Sequence, residues 1–422
     1  MSDFIDFQGQ LNKNTLPYMD QHQLAYGYFE IRPGTAVSQI RLPLNFSLVL
    51  DRSGSMSGEK IAQLRQAVKT LIGQLQPSDY ISIITFNNRL DVLVPATPVT
   101  DIQSLQQQID TLEAAGGTNM APAMEAGLNE ISKFSGPDKS SRLILLTDGR
   151  TSGVDTCQQW ADDARSRQVP IIALGLGSNW NEDLLIGLGE RSGPSGSAGL
   201  IKRPEEINAI FQDILTEMKV VAQNLTFRLL MVQGVEARRV WQVVPLIKDV
   251  SMGAVQGRTV AVNFSELSEA GVAYLVELLI PSRNPGVYRF AQAEVLYSSP
   301  AQGETPQKVG VNVMAEISAN PHAVQQVNGR VMNIVEKVTA FKLQTQALNE
   351  AEIGNIAAAT QKLRAAHTIL LDQGEAELAQ MALEEADRVE KGEGFSNEGR
   401  KTVKLQSNKT VKLSDLDLDL GN

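Results

Sequence analysis

Three oxygen-bearing side chains alternate in the stretch DRSGS: Asp51, Ser53 and Ser55. They follow an apolar run, LNFSLVL, and precede a stretch in which Ile61, Leu64, Val68, Leu71 and Leu75 recur at helical spacing. An aspartate at the end of a buried strand lies at the carboxyl edge of a sheet, where open α/β folds hold their ligands. In an extended turn, side chains two apart converge on one side, and Gly54 permits a sharp backbone between them. One carboxylate and two neutral hydroxyls are hard donors. They suit Mg²⁺, with Mn²⁺ or Ca²⁺ as alternatives, and suit zinc poorly. Two further oxygen clusters occupy comparable places: Thr118 in AAGGTNMAPAM, before a helix-patterned stretch, and Asp148 in LILLTDGR, at the end of an apolar run. The plain alternative for DRSGS is a helix N-cap, where Asp, Ser and Gly are all favoured.

Asp51-x-Ser53-x-Ser55, the threonine of a GGT loop and the strand-end aspartate of TDG stand in an order that resembles the metal-ion-dependent adhesion site of von Willebrand factor type A domains. The resemblance covers residues 44–221. It implies that Ser53, Ser55 and Thr118 touch the ion directly, that Asp51 and Asp148 act largely through waters, and that a Glu or Asp of a protein partner completes the coordination. A cation held mainly by neutral hydroxyls keeps much of its charge, so an incoming carboxylate gains more than at a site saturated with protein carboxylates. The whole chain is similar to bacterial intracellular members of that family, which implies a scaffold or adaptor rather than an enzyme.

The competing class is a Mg²⁺-dependent phosphatase or nucleotidase with Asp51 as nucleophile. Haloacid-dehalogenase-like enzymes carry a second aspartate two residues on, where this chain has Ser53. A serine hydrolase needs a base, and His22, His322 and His367 all lie outside the α/β region, with no G-x-S-x-G around Ser53 or Ser55. Cys157 sits at a helix start that could acidify a thiol, but reads better as a packing residue. Trp160, Trp180 and Trp241 read as core or interface residues, and the cluster GERSGPSGSAG reads as a flexible loop before the last strand.

The elements that must position these residues are legible around them. Residues 44–221 alternate short β-branched runs (LNFSLVL, YISIITF, LDVLVP, RLILLT, PIIALGLG) with helical stripes at 61–75, 105–112, 120–131 and 207–218. Such alternation predicts a doubly wound, mostly parallel α/β sheet with strands buried on both faces. Residues 222–320 carry alternating or aromatic runs such as NLTFRLLMV, RRVWQVVP and VAYLVELLIP, which predict an antiparallel β-sandwich. Residues 1–43, with QLAYGYFEIRPG, are expected to join that sandwich, making the α/β domain an insertion. Residues 321–392 predict a bundle of three helices broken at NEAEIGN and LDQGEAE.

Residues 393–422 are polar and predict a disordered tail. KTVKL occurs there twice, at 401–405 and 409–413. A phosphate on Thr402 or Thr410 would add close to two negative charges, and forkhead-associated domains read phosphothreonine together with the residue three positions on, here Leu405 or Leu413. A Ser/Thr kinase and a forkhead-associated domain are therefore candidate partners of the tail, against the plain alternative of an unmodified basic tail of low complexity. The terminal SDLDLDL could supply a carboxylate to a metal site.

The net charge of −10 argues against nucleic acid and anionic membrane as partners. With Cys157 alone, no internal disulfide can form. The N-terminal MSDFIDFQGQLNKN lacks the basic start of a signal peptide, and the most apolar stretch, AYLVELLI, carries Glu277 and falls short of the roughly twenty residues that span a bilayer. A cytoplasmic protein is expected.

Overall fold

The computed structural model describes residues 4–34, 42–136, 138–193, 195–218, 220–299 and 303–405. The chain divides into two compact units, Arg41–Val220 and the flanking segments Met1–Ile40 with Val221–Asn422.

The first unit is built on one six-stranded sheet. Its spatial order is Leu90–Pro98, Tyr80–Phe86, Leu44–Asp51, Ser140–Thr147, Ile171–Leu176, Ser197–Ile201. Neighbours are parallel except for the first pair. Every residue of Leu44–Asp51 is buried, as a strand covered on both faces requires. Phe46, Leu48 and Leu50 share a core with Leu64, Val68 and Leu71 of helix Glu59–Ile72 and with Phe211 and Ile214 of helix Ile207–Met218. Val49 points to the opposite face, against Gly127 of helix Ala121–Ser132. Strand order reverses between Leu44–Asp51 and Ser140–Thr147, so the carboxyl ends of these two strands open a crevice at the topological switch point.

Three details depart from the sequence reading. Leu90–Pro98 is an antiparallel edge strand and mostly half-buried, not buried on both faces. The glycine cluster is only in part a loop: it begins in helix Glu182–Ser192 and ends in strand Ser197–Ile201. Its small residues serve close packing, since a Cβ on Gly189 would lie 2.7 Å from the Ser197 backbone. Helix Glu182–Ser192, with Leu184, Leu185 and Leu188 buried, is an element the sequence reading does not contain.

In the second unit, two sheets face each other. One has the order Ile5–Leu11, Gln23–Pro33, Val272–Ile280, Glu236–Val244, Lys248–Asp249. The other runs Val255–Gln256, Thr259–Ser268, Val220–Met231, Gly286–Ser299, Gly303–Ser318, Thr15–Pro17. The N-terminal strands thus pair with strands that follow the α/β unit in sequence. Phe29, Phe227, Tyr274 and Phe290 lie fully inside, with Phe227 stacked on Tyr274 at 4.9 Å.

Helix Gly329–Glu352 lays Val331, Ile334, Val335 and Val338 on Tyr28, Trp241 and Leu275, the other face of the five-stranded sheet. Arg330 pairs with the buried Glu30 at 2.6 Å. Helices Ile356–Asp372 and Ala376–Glu390 follow. A fourth helix, Asn397–Leu405, corrects the expectation of a disordered tail over its described part. Nine residues are too few for a periodic stripe to register, yet Lys401, Val403 and Leu405 are buried, and the helix packs on Gly329–Glu352 and Ala376–Glu390. Among the described residues no helix is long and apolar enough to cross a membrane.

Candidate metal centre

Asp51 ends its strand at the switch point, and Asp148 follows the end of the neighbouring strand, where Leu50 pairs with Leu146. The sheet therefore sets the two carboxylates side by side. Both residues are buried, at 0% and 2% exposure. The GGT loop is stitched to this edge by backbone bonds: Gly54 N–H donates to the Gly116 carbonyl and Ala115 N–H to the Arg52 carbonyl, both at 2.8 Å. Gly116 takes φ +84°, and the Asn87 amide, which donates to the Ala115 carbonyl at 2.6 Å, fills the space its Cβ would need. On the far side the Met120 N–H donates to the Thr151 hydroxyl at 3.0 Å. A Cβ on Gly149 would lie 3.3 Å from Thr118 Oγ1, which places that hydroxyl beside the Asp148 loop. All five residues singled out by sequence thus come from three loops at one edge of one sheet.

The polar contacts are specific. Asp51 Oδ1 accepts the Ser53 N–H at 2.8 Å and Oδ2 accepts the Thr147 hydroxyl at 2.6 Å. Ser55 donates to Asp148 Oδ1 at 2.7 Å, and Lys60 donates to Asp148 Oδ2. The Ser53 and Ser55 hydroxyl oxygens are 3.1 Å apart. The helix-cap reading does not hold: Ser53 makes no side-chain cap to the short 3₁₀ turn Gly54–Met56, and Gly58, not a serine, precedes helix Glu59–Ile72. Burial pushes the Asp51 carboxyl above the ordinary carboxylate range; the Thr147 and Ser53 bonds oppose the shift and the Asp148 charge adds to it.

These residues fit a small hard cation. Two oxygens bound cis on an octahedral ion at about 2.1 Å would stand about 3.0 Å apart, close to the observed hydroxyl spacing of 3.1 Å. To such an ion Ser53, Ser55 and Thr118 would offer neutral oxygens, and Asp51 and Asp148 negative charge. Among the described residues no three or more His, Cys, Asp or Glu side chains cluster as a metal cage, so hydroxyls must provide much of any coordination here.

Sequence reasoning missed Lys60 and Thr147. Thr147 stands directly before Asp148, and the run of strand residues hides it; Lys60 looks like an ordinary exposed residue at a helix start. Cys157 is wholly buried, and burial pushes its thiol up to about 11, so the acidified-thiol alternative fails and the packing role stands. Thr402 is 1% exposed in its helix, out of reach of a kinase or a phosphothreonine reader in this fold. Thr410 and the second KTVKL lie outside the described residues.

Comparisons with known proteins agree with this fold. Residues 45–213 match the von Willebrand factor type A domain model, and residues 329–413 match the Sll0103-like, C-terminal alpha-helical domain. Protein sll0103 of Synechocystis sp. is 27% identical over 384 residues, covering 88% of this chain and 89% of its own length. Inter-alpha-trypsin inhibitor heavy chain H3 of Homo sapiens is 29% identical over 157 residues, 34% of this chain and 18% of that protein, so the likeness is confined to a part of it. Among solved structures, the von Willebrand factor type A protein from Catenulispora acidiphila superposes with TM-score 0.70 at 18% identity, covering 97% of this chain and 98% of that one. The ArnB paralog VWA2 from Sulfolobus acidocaldarius gives 0.50 at 16% identity, covering 95% and 98%. At these identities the two structures show the fold.

Proposed function

We propose that the von Willebrand factor type A domain formed by residues 45–213 is a non-enzymatic docking module. It holds Mg²⁺ on Ser53, Ser55 and Thr118, with Asp51 and Asp148 behind them, and captures a Glu or Asp carboxylate of a protein partner. The observation that carries the reading is the pair of serine hydroxyls at octahedral spacing, 3.1 Å, backed by two buried carboxylates. When bound, the ion supplies an electrophilic position. The chain's own residues set its character: neutral hydroxyls leave the charge of the ion largely unspent, and Thr147 and the Ser53 N–H fix the Asp51 carboxylate.

The phosphatase reading requires Asp51 to attack with a free oxygen. Both its oxygens are engaged and the residue is wholly buried, which favours a supporting role. The single cysteine fits a cytoplasmic setting.

Affinity capture from the native cell, in Mg²⁺ and in EDTA, tests the reading. Wild type should retain an acidic partner only in Mg²⁺, and Asp51→Ala and Thr118→Ala should lose it while remaining folded. Equal capture in EDTA contradicts the proposal. Phosphate-ester turnover that disappears in Asp51→Ala would make the domain an enzyme instead.

A further inference from the structure

Among the described residues, the groups that hydrogen-bond the carboxylate oxygens of Asp51 and Asp148 include a backbone N–H and the hydroxyls of Thr147 and Ser55, together with one ammonium, that of Lys60. We propose that Lys60 is a tethered counter-cation that competes with the divalent ion for Asp148 and so sets how tightly the site holds its ion. The inference rests on the metal-docking reading above.

The four donors differ in what ion binding asks of them. The Ser53 N–H and the Thr147 hydroxyl hold Asp51 from behind and stay where they are. Ser55 need only rotate its hydroxyl proton from Asp148 Oδ1 to offer a lone pair. Lys60 is different, because it brings a full positive charge to a carboxylate whose side chain is 0% exposed. Repulsion between that ammonium and a divalent ion on the adjacent hydroxyls is poorly screened where water is excluded. The two cations therefore compete for the Asp148 charge.

The position of Lys60 suits that exchange. Its own side chain is 31% exposed, so the ammonium can swing into water on its flexible stem without unseating the helix. It is the second residue of helix Glu59–Ile72, and a cation at a helix N-terminus is disfavoured by the backbone dipole. Helix stability therefore does not account for a lysine here, whereas Asp148 does. Seated, Lys60 compensates one of two buried carboxylates while no ion is bound.

Mn²⁺ is titrated by electron paramagnetic resonance into the full chain and into Lys60→Met. The competition predicts one Mn²⁺ in each, bound about tenfold or more tightly by Lys60→Met. It also predicts that Lys60→Met melts below wild type in EDTA and that Mn²⁺ closes the difference, because Asp148 has then regained a cation. If wild type binds one ion and Lys60→Met binds it no more tightly, the competition is overturned and the metal site stands. If neither chain binds Mn²⁺, the metal site and the competition fall together.

Discussion

Replacing Asp51 by Asn tests whether this carboxylate is kept for an ion rather than for the fold. Asn has the same shape, and its carbonyl can accept the Ser53 N–H that Asp51 now accepts at 2.8 Å. Its amide would face Thr147 Oγ1, whose proton can turn to the Gly149 carbonyl, 3.5 Å away. The exchange removes a charge that is 0% exposed and lies beside the Asp148 carboxylate. It turns two charge-assisted hydrogen bonds into neutral ones, and with the buried charge removed a net gain on the order of 1 kcal/mol is expected in the ion-free protein. For a unit of this size that is about 2–4 °C in Tm. The pH dependence has a definite sign. The folded state holds the Asp51 proton to higher pH than the unfolded state does, so ion-free wild type loses stability as pH rises from the ordinary value of 3.8 through the raised one. Asp51→Asn should lack that slope. Thermal scans in EDTA across pH 4–8, repeated with Mg²⁺, read all three effects: a higher Tm for the variant, a flatter profile, and Mg²⁺ stabilisation in wild type alone. A variant that melts several degrees lower in EDTA, or that gains as much from Mg²⁺ as wild type, refutes the reasoning.

Other expected outcomes follow from packing. Gly127→Ala would bring a Cβ within 2.8 Å of Val49 Cγ2 and 3.1 Å of Ser47 Oγ, so urea unfolding should show a loss of about 1–3 kcal/mol. Cys157, buried and with its thiol pushed up to about 11, should resist alkylation at pH 8 until the protein is unfolded. A Cβ on Gly399 would stand 2.3 Å from the Glu385 carboxyl, which also receives the Ser396 N–H at 2.8 Å. Gly399→Val should therefore release helix Asn397–Leu405, seen as new protease cleavage between residues 391 and 397 with the rest of the chain intact.

The metal-site residues could be read from sequence because each stands at the end of a strong local pattern. Asp51 and Asp148 close apolar runs, and Thr118 opens a helix after two glycines. Topology then brings strand ends together without further instruction. What escaped detection depends on tertiary contact. Lys60 is recognisable as part of the site only once Asp148 is known to lie beside the first turn of its helix. Helix Asn397–Leu405 is polar overall and held by a few buried residues, among them Val403 and Leu405, in a seat the sequence does not display. The last strand is legible only from Leu200 on, because the glycine and serine content of residues 197–199 reads as loop but serves close packing beside Leu174 and helix Glu182–Ser192.

The most direct test is anomalous diffraction from crystals grown in Mn²⁺. The account predicts a single strong peak in the α/β unit, about 2.2 Å from the hydroxyl oxygens of Ser53 and Ser55, with the Thr118 hydroxyl as a third ligand and a carboxylate or water in the open position. It also predicts Lys60 withdrawn from Asp148. No peak at these hydroxyls at saturating Mn²⁺, or an ion bound elsewhere in the unit with Lys60 still paired to Asp148, would contradict it.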